Sequence, residues 1–474
     1  MSKLRKGDAT ALSRSLGNRH IQLIALGGTL GTGLFLGSAG VIEMAGPSML
    51  LGYALCGLFA FTIMRLLGEM VVTEPVSGSF SYFAGKYWGR FPGFLAGWNC
   101  VILYVLLGML ELTAAGKFIQ YWWPDVPTWA TAAVFFVLLN ALNLTNVRLY
   151  GETEFWFALI KVLAVVGMIV LGGYLLASGK AGPGASVANL WNGPGFMPHG
   201  IAGIAMAMPV IAFAFGGLEM LSFTAAEADQ PARAIPKAIN QVPLRVLIFY
   251  VGSVAIVLML TPQLDLVSAL HRSDDIYSRS PFVEIFSKIG IDSAATLLNF
   301  IILTAALSVY NSMVYCTSRL LHGMAEQGNA PRSLAAVNRH GVPVRAIVFP
   351  AALTGLCVLL NYLIPKGLLE ALMSLIVAAL LILWTVIVVV HHKFRRQKPA
   401  GTTSFKAPLA PLSNWFCIVF VAFIAAMMCA DPSSRGAVIS IPIWVLLVYV
   451  SYLAHRSMKR GLQVSPQTLE PNES

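Results

Sequence analysis

Gly27-Gly28-Thr29-Leu30-Gly31-Thr32-Gly33 lies inside the first long apolar run, Ile21 to Met44. Glycine and threonine at this density make a poor helix. Yet Ile21 to Leu26 and Leu34 to Leu36, on either side, are apolar enough to lie in hydrocarbon. Backbone opened inside a bilayer is tolerated only where protein or a water-filled cavity satisfies the freed N–H and C=O groups. The run is therefore either an intact Gly-rich packing helix or a broken helix that turns bare backbone toward a ligand. The rest of the chain has to decide.

Of the 474 residues, 57% are hydrophobic and 11% charged. A soluble domain carries about 25% charged residues, so this composition means an integral membrane protein. The apolar residues come in runs long enough for helical spans, not in the short alternating segments of a barrel. A net charge of +11 raises nucleic acid as a partner. The basic residues sit in short loops between apolar runs, where membrane topology explains them and no nucleic acid is expected. Cys56, Cys100, Cys316, Cys357, Cys417 and Cys429 fall in or at the edge of apolar spans, without a C-x-x-C pair or a His at metal spacing. They are expected to pack as small apolar residues, with no disulfide, metal or cofactor. The first 20 residues are polar and basic and carry no cleavable signal, so the N-terminus is expected in the cytoplasm.

The pattern predicts an all-α integral membrane protein of twelve spans, near residues 21–44, 48–72, 91–120, 128–147, 154–177, 200–224, 241–262, 293–316, 346–364, 368–391, 412–430 and 437–454. Residues 1–20 and 455–474 form cytoplasmic ends. Of the 32 Lys and Arg, only Lys117, Lys180, Arg272, Arg279, Lys288, Lys366 and Arg435 fall in outer segments. This bias predicts an even number of spans with both termini inside. Lys180 to Pro198 reads as a Gly/Pro-rich outer linker, and Leu264 to Ser280 as a polar outer loop with a short surface helix. Ser318 to Arg345 reads as an inner loop opening with an amphipathic helix. His391-His392-Lys393-Phe394-Arg395-Arg396 reads as an interfacial anchor. Arg65, Glu69 and Glu74, at the inner end of the second span, read either as inner-mouth pairs or as solvated anchors.

A second Gly-interrupted apolar segment, Phe213-Ala214-Phe215-Gly216-Gly217-Leu218-Glu219, lies in the sixth span. The first and sixth spans each open a run of five, starting from opposite sides. Interrupted helices at corresponding positions of inverted halves point to a transporter's midplane site. The reading is thus a five-plus-five inverted repeat, residues 21–177 and 200–391, with discontinuous helices 1 and 6 and two further helices at 412–454. A dinucleotide fingerprint is excluded because no strand precedes the glycines.

Opening the first span near Thr29 to Gly33 frees N–H donors suited to a carboxylate, with Thr32 adding a hydroxyl. Freed carbonyls of Phe213 and Gly216 can accept an ammonium. Donors from one break and acceptors from the other fit a zwitterionic α-amino acid. Glu111, Lys161 and Glu219 are ionisable residues inside apolar spans, each costing about 2.5–3.5 kcal/mol or more at a helix centre. Either they pair within the bundle or they serve gating or proton coupling. Lys161, two turns into the fifth span, is placed to reach the opened first span, and a desolvated lysine readily exchanges a proton. Tyr104 and Gly108, one turn apart, offer a ring beside a gap as a side-chain pocket, and Phe213 and Phe215 lie at the break.

Leu16-Gly17-Asn18-Arg19-His20-Ile21-Gln22 followed by Gly28 to Phe35, Gly68-Glu69-Met70 with Pro75 to Phe80, Glu152 to Lys161, Phe215 to Glu219, and Ala225 to Asp229 resemble the bacterial amino acid permeases of the amino acid–polyamine–organocation superfamily. Glu111 to Lys117 and Leu303 to Tyr315 resemble most the general aromatic amino acid permeases. The resemblance spans about residues 14 to 456. It implies proton-coupled import of phenylalanine, tyrosine and tryptophan across a bacterial inner membrane. It also implies substrate carboxylate at Gly31, Thr32 and Gly33, and amine at carbonyls of Thr29, Phe213 and Gly216. Phe213 and Phe215 would be gate aromatics, Tyr104 part of the pocket, and Lys161, Glu111 and Glu219 the coupling or gating charges. Ala378 to Trp384 lacks the polar residues of the aromatic permeases. Histidine, a branched-chain amino acid or γ-aminobutyrate on the same fold is the alternative. A sensor would need an output domain, and no catalytic cluster marks an enzyme. The implied partners are an amino acid, protons and the lipid bilayer, with no obligate protein partner evident.

Overall fold

The computed structural model describes residues 31–76, 79–145, 147–182, 184–224, 230–271, 280–338, 341–364, 367–398 and 404–463. Residues 1–20, Thr29 with the first half of the glycine run, Ala225 to Asp229, Arg272, Arg279, Lys366 and residues 464–474 lie outside them.

The described part of the first apolar run opens with extended backbone at Gly31. A short α1 (Thr32–Phe35) leads through Leu36 into α2 (Gly37–Ala45), and a tight turn at Gly46 starts α3 (Met49–Thr73). Then come α4 (Ser79–Tyr87), α5 (Arg90–Gln120), α6 (Thr128–Asn143) and α7 (Val147–Ala177). The second interrupted run begins with α8 (Gly200–Phe213) and resumes at α9 (Leu221–Thr224). It is followed by α10 (Pro231–Asn240) and α11 (Val242–Arg245), which passes through a π-helical Val246–Gly252 into α12 (Ser253–Leu260). Short helices α13 (Gln263–Leu270) and α14 (Pro281–Lys288) precede α15 (Asp292–Glu326), α16 (Val344–Leu363), α17 (Leu368–Gln397), α18 (Leu412–Ala430) and α19 (Pro432–Gln463).

Among the described residues no strand occurs, and ten helical segments are long and apolar enough to cross a membrane. One of them, Thr32–Thr73, contains α1, α2 and α3, while α6 is shorter at 16 residues. The core is built around α5, which packs against α4, α6, α15, α16 and α17. A helix apolar on every side belongs in such an interior. In contrast, Ile439, Ile443, Leu446, Leu447, Val450 and Leu453 of α19 are exposed.

Two expectations are corrected. No separate amphipathic helix starts at Ser318, because α15 runs unbroken to Glu326 with Ser318, Arg319 and His322 buried. The reason is the contact of its C-terminal half with α5, where Met324 fills the space over Gly97, while Arg319 lies 4.1 Å over the ring of Tyr315, one turn back on α15 itself. The short surface helix expected in Leu264 to Ser280 is α13, which keeps Leu264 exposed and buries its other face. Leu266, Ala269 and Leu270 are buried, and Gln263 Nε2 donates to Ile42 O at 3.2 Å. Nearby, Ser280 Oγ donates to Phe35 O at 2.7 Å, satisfying a carbonyl that the broken first helix leaves open. Finally, His391 is no interfacial residue. It is fully buried, with Nε2 3.1 Å from Glu69 Oε2 and Nδ1 3.1 Å from Asn414 Nδ2. Glu69 is likewise no solvated anchor. It also accepts from Arg395 Nη2 at 2.8 Å and Ala407 N at 2.7 Å, tying α3, α17 and the segment before α18 together.

Candidate substrate site

The described part of the glycine run starts at Gly31, in extended backbone with φ −133° and ψ −159°. Its carbonyl accepts from Leu34 N at 3.2 Å and Phe35 N at 3.3 Å, so the donors before Leu34 have no acceptor within α1. Glu111 of α5 meets them. Thr32 Oγ1 donates to Glu111 Oε1 at 2.9 Å, and the Thr32 backbone N–H faces the same carboxylate. A Cβ on Gly31 would lie 3.3 Å from Glu111 Oε1, so glycine lets this carboxylate approach. The position expected for a ligand carboxylate is thus taken by the protein's own.

Gly33 is where the two breaks touch. A Cβ there would stand 2.5 Å from Ala214 Cα, a backbone atom that cannot rotate away. On the Ala214 side, α8 ends in a tight turn, with Phe215 N donating to Ala212 O at 3.1 Å and Gly216 N to Phe213 O at 2.9 Å. Gly217 then takes a left-handed φ of +101°, which reverses the chain and needs glycine. Glu219 folds back so that Gly217 N donates to both of its carboxylate oxygens at 3.2 Å. Ser222 Oγ closes the turn on Glu219 O at 2.8 Å. Glu219 thereby holds the unwound segment, one of the roles expected of it.

The carbonyl of Phe213 is not bare, since Gly216 N uses it, but a carbonyl retains a second lone pair. Tyr250 OH donates to Ala214 O at 2.9 Å, and its ring stacks on Phe215 at 4.6 Å and 14°. Tyr53 completes this aromatic group, 5.7 Å from Tyr250 and 6.4 Å from Phe215. Sequence reading missed Tyr53 and Tyr250, because nothing local separates them from other aromatics in apolar spans. Leu380 of α17 presses on Gly216, at 3.1 Å from where a Cβ would be, so the apolar Ala378–Trp384 segment walls this break.

One expectation changes here. The gap beside Gly108 is filled by the Tyr310 ring and the Thr354 methyl, 3.1 and 3.3 Å from a Cβ placed there. Tyr104 meets Phe223 edge to face at 5.8 Å instead. Tyr104, Tyr310 and Thr354 still line one small cavity between α5, α15 and α16. Lys161 is fully buried on α7 and interacts electrostatically with Glu154 and Glu111. Glu154 was overlooked because, at the start of its span, it reads as an interfacial charge.

Among the described residues no group of His, Cys, Asp and Glu is placed to hold a metal ion, and no disulfide joins the six cysteines. A crevice lined by Met206, Val210, Met373 and Val377 reaches Phe213, with Glu370 and Asp431 on its walls.

The model of the amino acid permease family matches residues 20–462. The aromatic amino acid transport proteins AroP of Shigella flexneri and of Escherichia coli (strain K12) are each 56% identical over 444 residues, 93% of this chain and 95% of theirs. The uncharacterized transporter YdgF of Bacillus subtilis (strain 168) is 38% identical over 454 residues, 94% of this chain and 96% of its own. A family match across both breaks and both halves of the bundle, with relatives aligned almost end to end, means that the chain belongs to the amino acid permease family.

Proposed function

We propose that the protein is a proton-coupled importer of aromatic amino acids across the bacterial cytoplasmic membrane. In this reading twelve spans form a five-plus-five inverted repeat with two added helices, and both termini face the cytoplasm. The observation that carries it is the direct approach of Gly33 to Ala214. Two segments far apart in the chain meet there backbone to backbone, and backbone opened in hydrocarbon must serve a ligand or be satisfied by protein. The names of the AroP relatives support an aromatic substrate, and Phe213, Phe215, Tyr53, Tyr250 and Tyr104 supply rings around the breaks.

The substrate carboxylate binds at Gly31, Thr32 and Gly33, and the amine at second lone pairs of the Phe213 and Gly216 carbonyls. Glu111 already uses the Thr32 donors. Two carboxylates cannot share one set of donors unless one gains a proton or moves to a cation. Substrate entry therefore requires a proton on Glu111 or its transfer to Lys161, and this competition couples uptake to protons. Glu219 keeps the second break open and gates it.

The test is uptake of labelled phenylalanine, tyrosine and tryptophan into proteoliposomes of the purified protein. Saturable uptake should rise at least tenfold when the outside is made acidic, and unlabelled aromatic amino acids should compete. Uptake indifferent to the gradient would remove the coupling. Competition by histidine or γ-aminobutyrate but not phenylalanine would remove the substrate class.

A further inference from the structure

Glu154 is fully buried and takes no part in the substrate site. It lies seven residues before Lys161 on α7, two helical turns away on the same face. Helical side chains slant toward the helix N-terminus, which carries the Lys161 ammonium toward Glu154. From α15, Ser308 Oγ donates to Glu154 Oε1 at 2.7 Å, and Asn311 and Ser312 flank the carboxylate. Asn311 Oδ1 accepts from Asn143 Nδ2 at 2.7 Å, and Asn143 is the last residue of α6. Polar groups thus run from Lys161 past Glu154 to the end of α6 that the loop charges place inside.

The charged group facing this pair from α5 is Glu111. From α15 and α6 come the uncharged Ser308, Ser312, Asn311 and Asn143. Residues 246–260, packed on the other side of α7, hold no charged residue. Their titratable member, Tyr250, gives its hydroxyl to Ala214 O. Joining α7 to α15 needs only a hydrogen-bond acceptor, which a glutamine would supply. A buried carboxylate beside a buried lysine supplies something else, a second place for the same proton.

We propose that Glu154 is the inner-side proton acceptor for Lys161. The Lys161 ammonium gives one proton to the Glu154 carboxylate, leaving a neutral amine and a neutral acid. Glu154 then releases that proton toward inner water past Asn311 and Asn143. One proton moves in each step, and charge is conserved. The inference rests on the proton coupling and orientation proposed above, and it adds the route by which the proton leaves.

The experiment compares two modes in proteoliposomes of the full chain. One is exchange of labelled for unlabelled phenylalanine at equal pH, and the other is net uptake driven by a pH gradient. Exchange needs no proton release inside, and net uptake does. Glu154→Gln should keep exchange within about twofold of wild type, lose net uptake at least tenfold, and lose the dependence of uptake on internal pH. Glu154→Asp should restore part of the net uptake. Wild-type net uptake with a wild-type internal pH profile in Glu154→Gln overturns the proposal. Equal loss of exchange and net uptake in a folded variant also overturns it, assigning Glu154 to packing alone. Should Glu154→Gln not fold, Glu154→Asp and Ser308→Ala decide, because an unchanged internal pH profile in both is equally fatal. A wild-type protein that ignores the gradient is a separate result, which removes the coupling itself.

Discussion

At the scale of single residues, the decisive observation is that Glu111 stands where a substrate carboxylate is expected. Thr32 donates to it at 2.9 Å, and Lys161 lies within its electrostatic reach. If the two carboxylates compete, replacing Glu111 by glutamine leaves an acceptor for Thr32 but removes the charge. Glu111→Gln should therefore bind phenylalanine with an affinity that barely changes between pH 5 and pH 8, whereas wild-type binding weakens several-fold over that range. Its gradient-driven uptake should fall at least tenfold. Equilibrium binding in detergent, measured across pH, checks the first half, and a wild-type pH profile would end the competition model. Glu111, Lys161 and Glu219 were legible in the sequence because a charge inside an apolar run has no solvation to explain it. Glu154 and His391 were not. Glu154 begins its span like any interfacial charge. His391 sits in a basic cluster, and the Glu69 that buries it is 322 residues away.

At the scale of elements, the second break was legible for a physical reason, since glycines in hydrocarbon leave a helix without propensity or packing surface, and of the first run the described residues show extended backbone at Gly31 before α1. What could not be read was how closely the two runs meet. That distance gives a sharp contrast between two glycines. In Gly33→Ala the new Cβ falls 2.5 Å from Ala214 Cα, so α1 and the end of α8 must separate by roughly 1 Å to reach an ordinary carbon–carbon contact. Gly167→Ala, on α7, meets nothing within 4 Å. Gly33→Ala should lower uptake at least tenfold, because the donors and acceptors of the two breaks no longer face one ligand. Gly167→Ala should transport like wild type and melt no lower, since alanine is the better helix former by up to about 1 kcal/mol. Uptake and melting temperature of the two variants settle this, and normal transport by Gly33→Ala would mean that the contact is not part of the site.

Across the whole molecule, hydropathy located the long helices well, because length and apolar content are local properties. It could not show which distant partners bury a polar group, so the partners that assemble the Glu69 and Glu74 clusters emerged only from the fold. The Glu74 cluster lies just beyond the membrane-spanning part of α3 and fixes three elements at once. Glu74 takes Lys86 Nζ at 2.7 Å and Tyr87 OH at 2.6 Å from α4, and Lys398 Nζ lies 3.0 Å away at the end of α17. Burial alone would raise the Glu74 carboxyl, but the hydrogen bonds from Lys86, Tyr87 and Lys398 outweigh it and hold the group down to about 2, against 4.5 when free. Because the folded value is the lower one, acid protonates Glu74 first in the unfolded chain. The stabilisation is complete above pH 4.5 and is lost as pH falls toward 2. Lys86 and Lys398 are partly exposed, which screens the effect. Glu74→Gln should thus melt a few degrees below wild type at pH 7, and the gap should shrink steadily between pH 4.5 and pH 2. Paired melting curves in detergent measure it, and a gap that stays constant with pH would mean that Glu74 acts through its shape and not its charge.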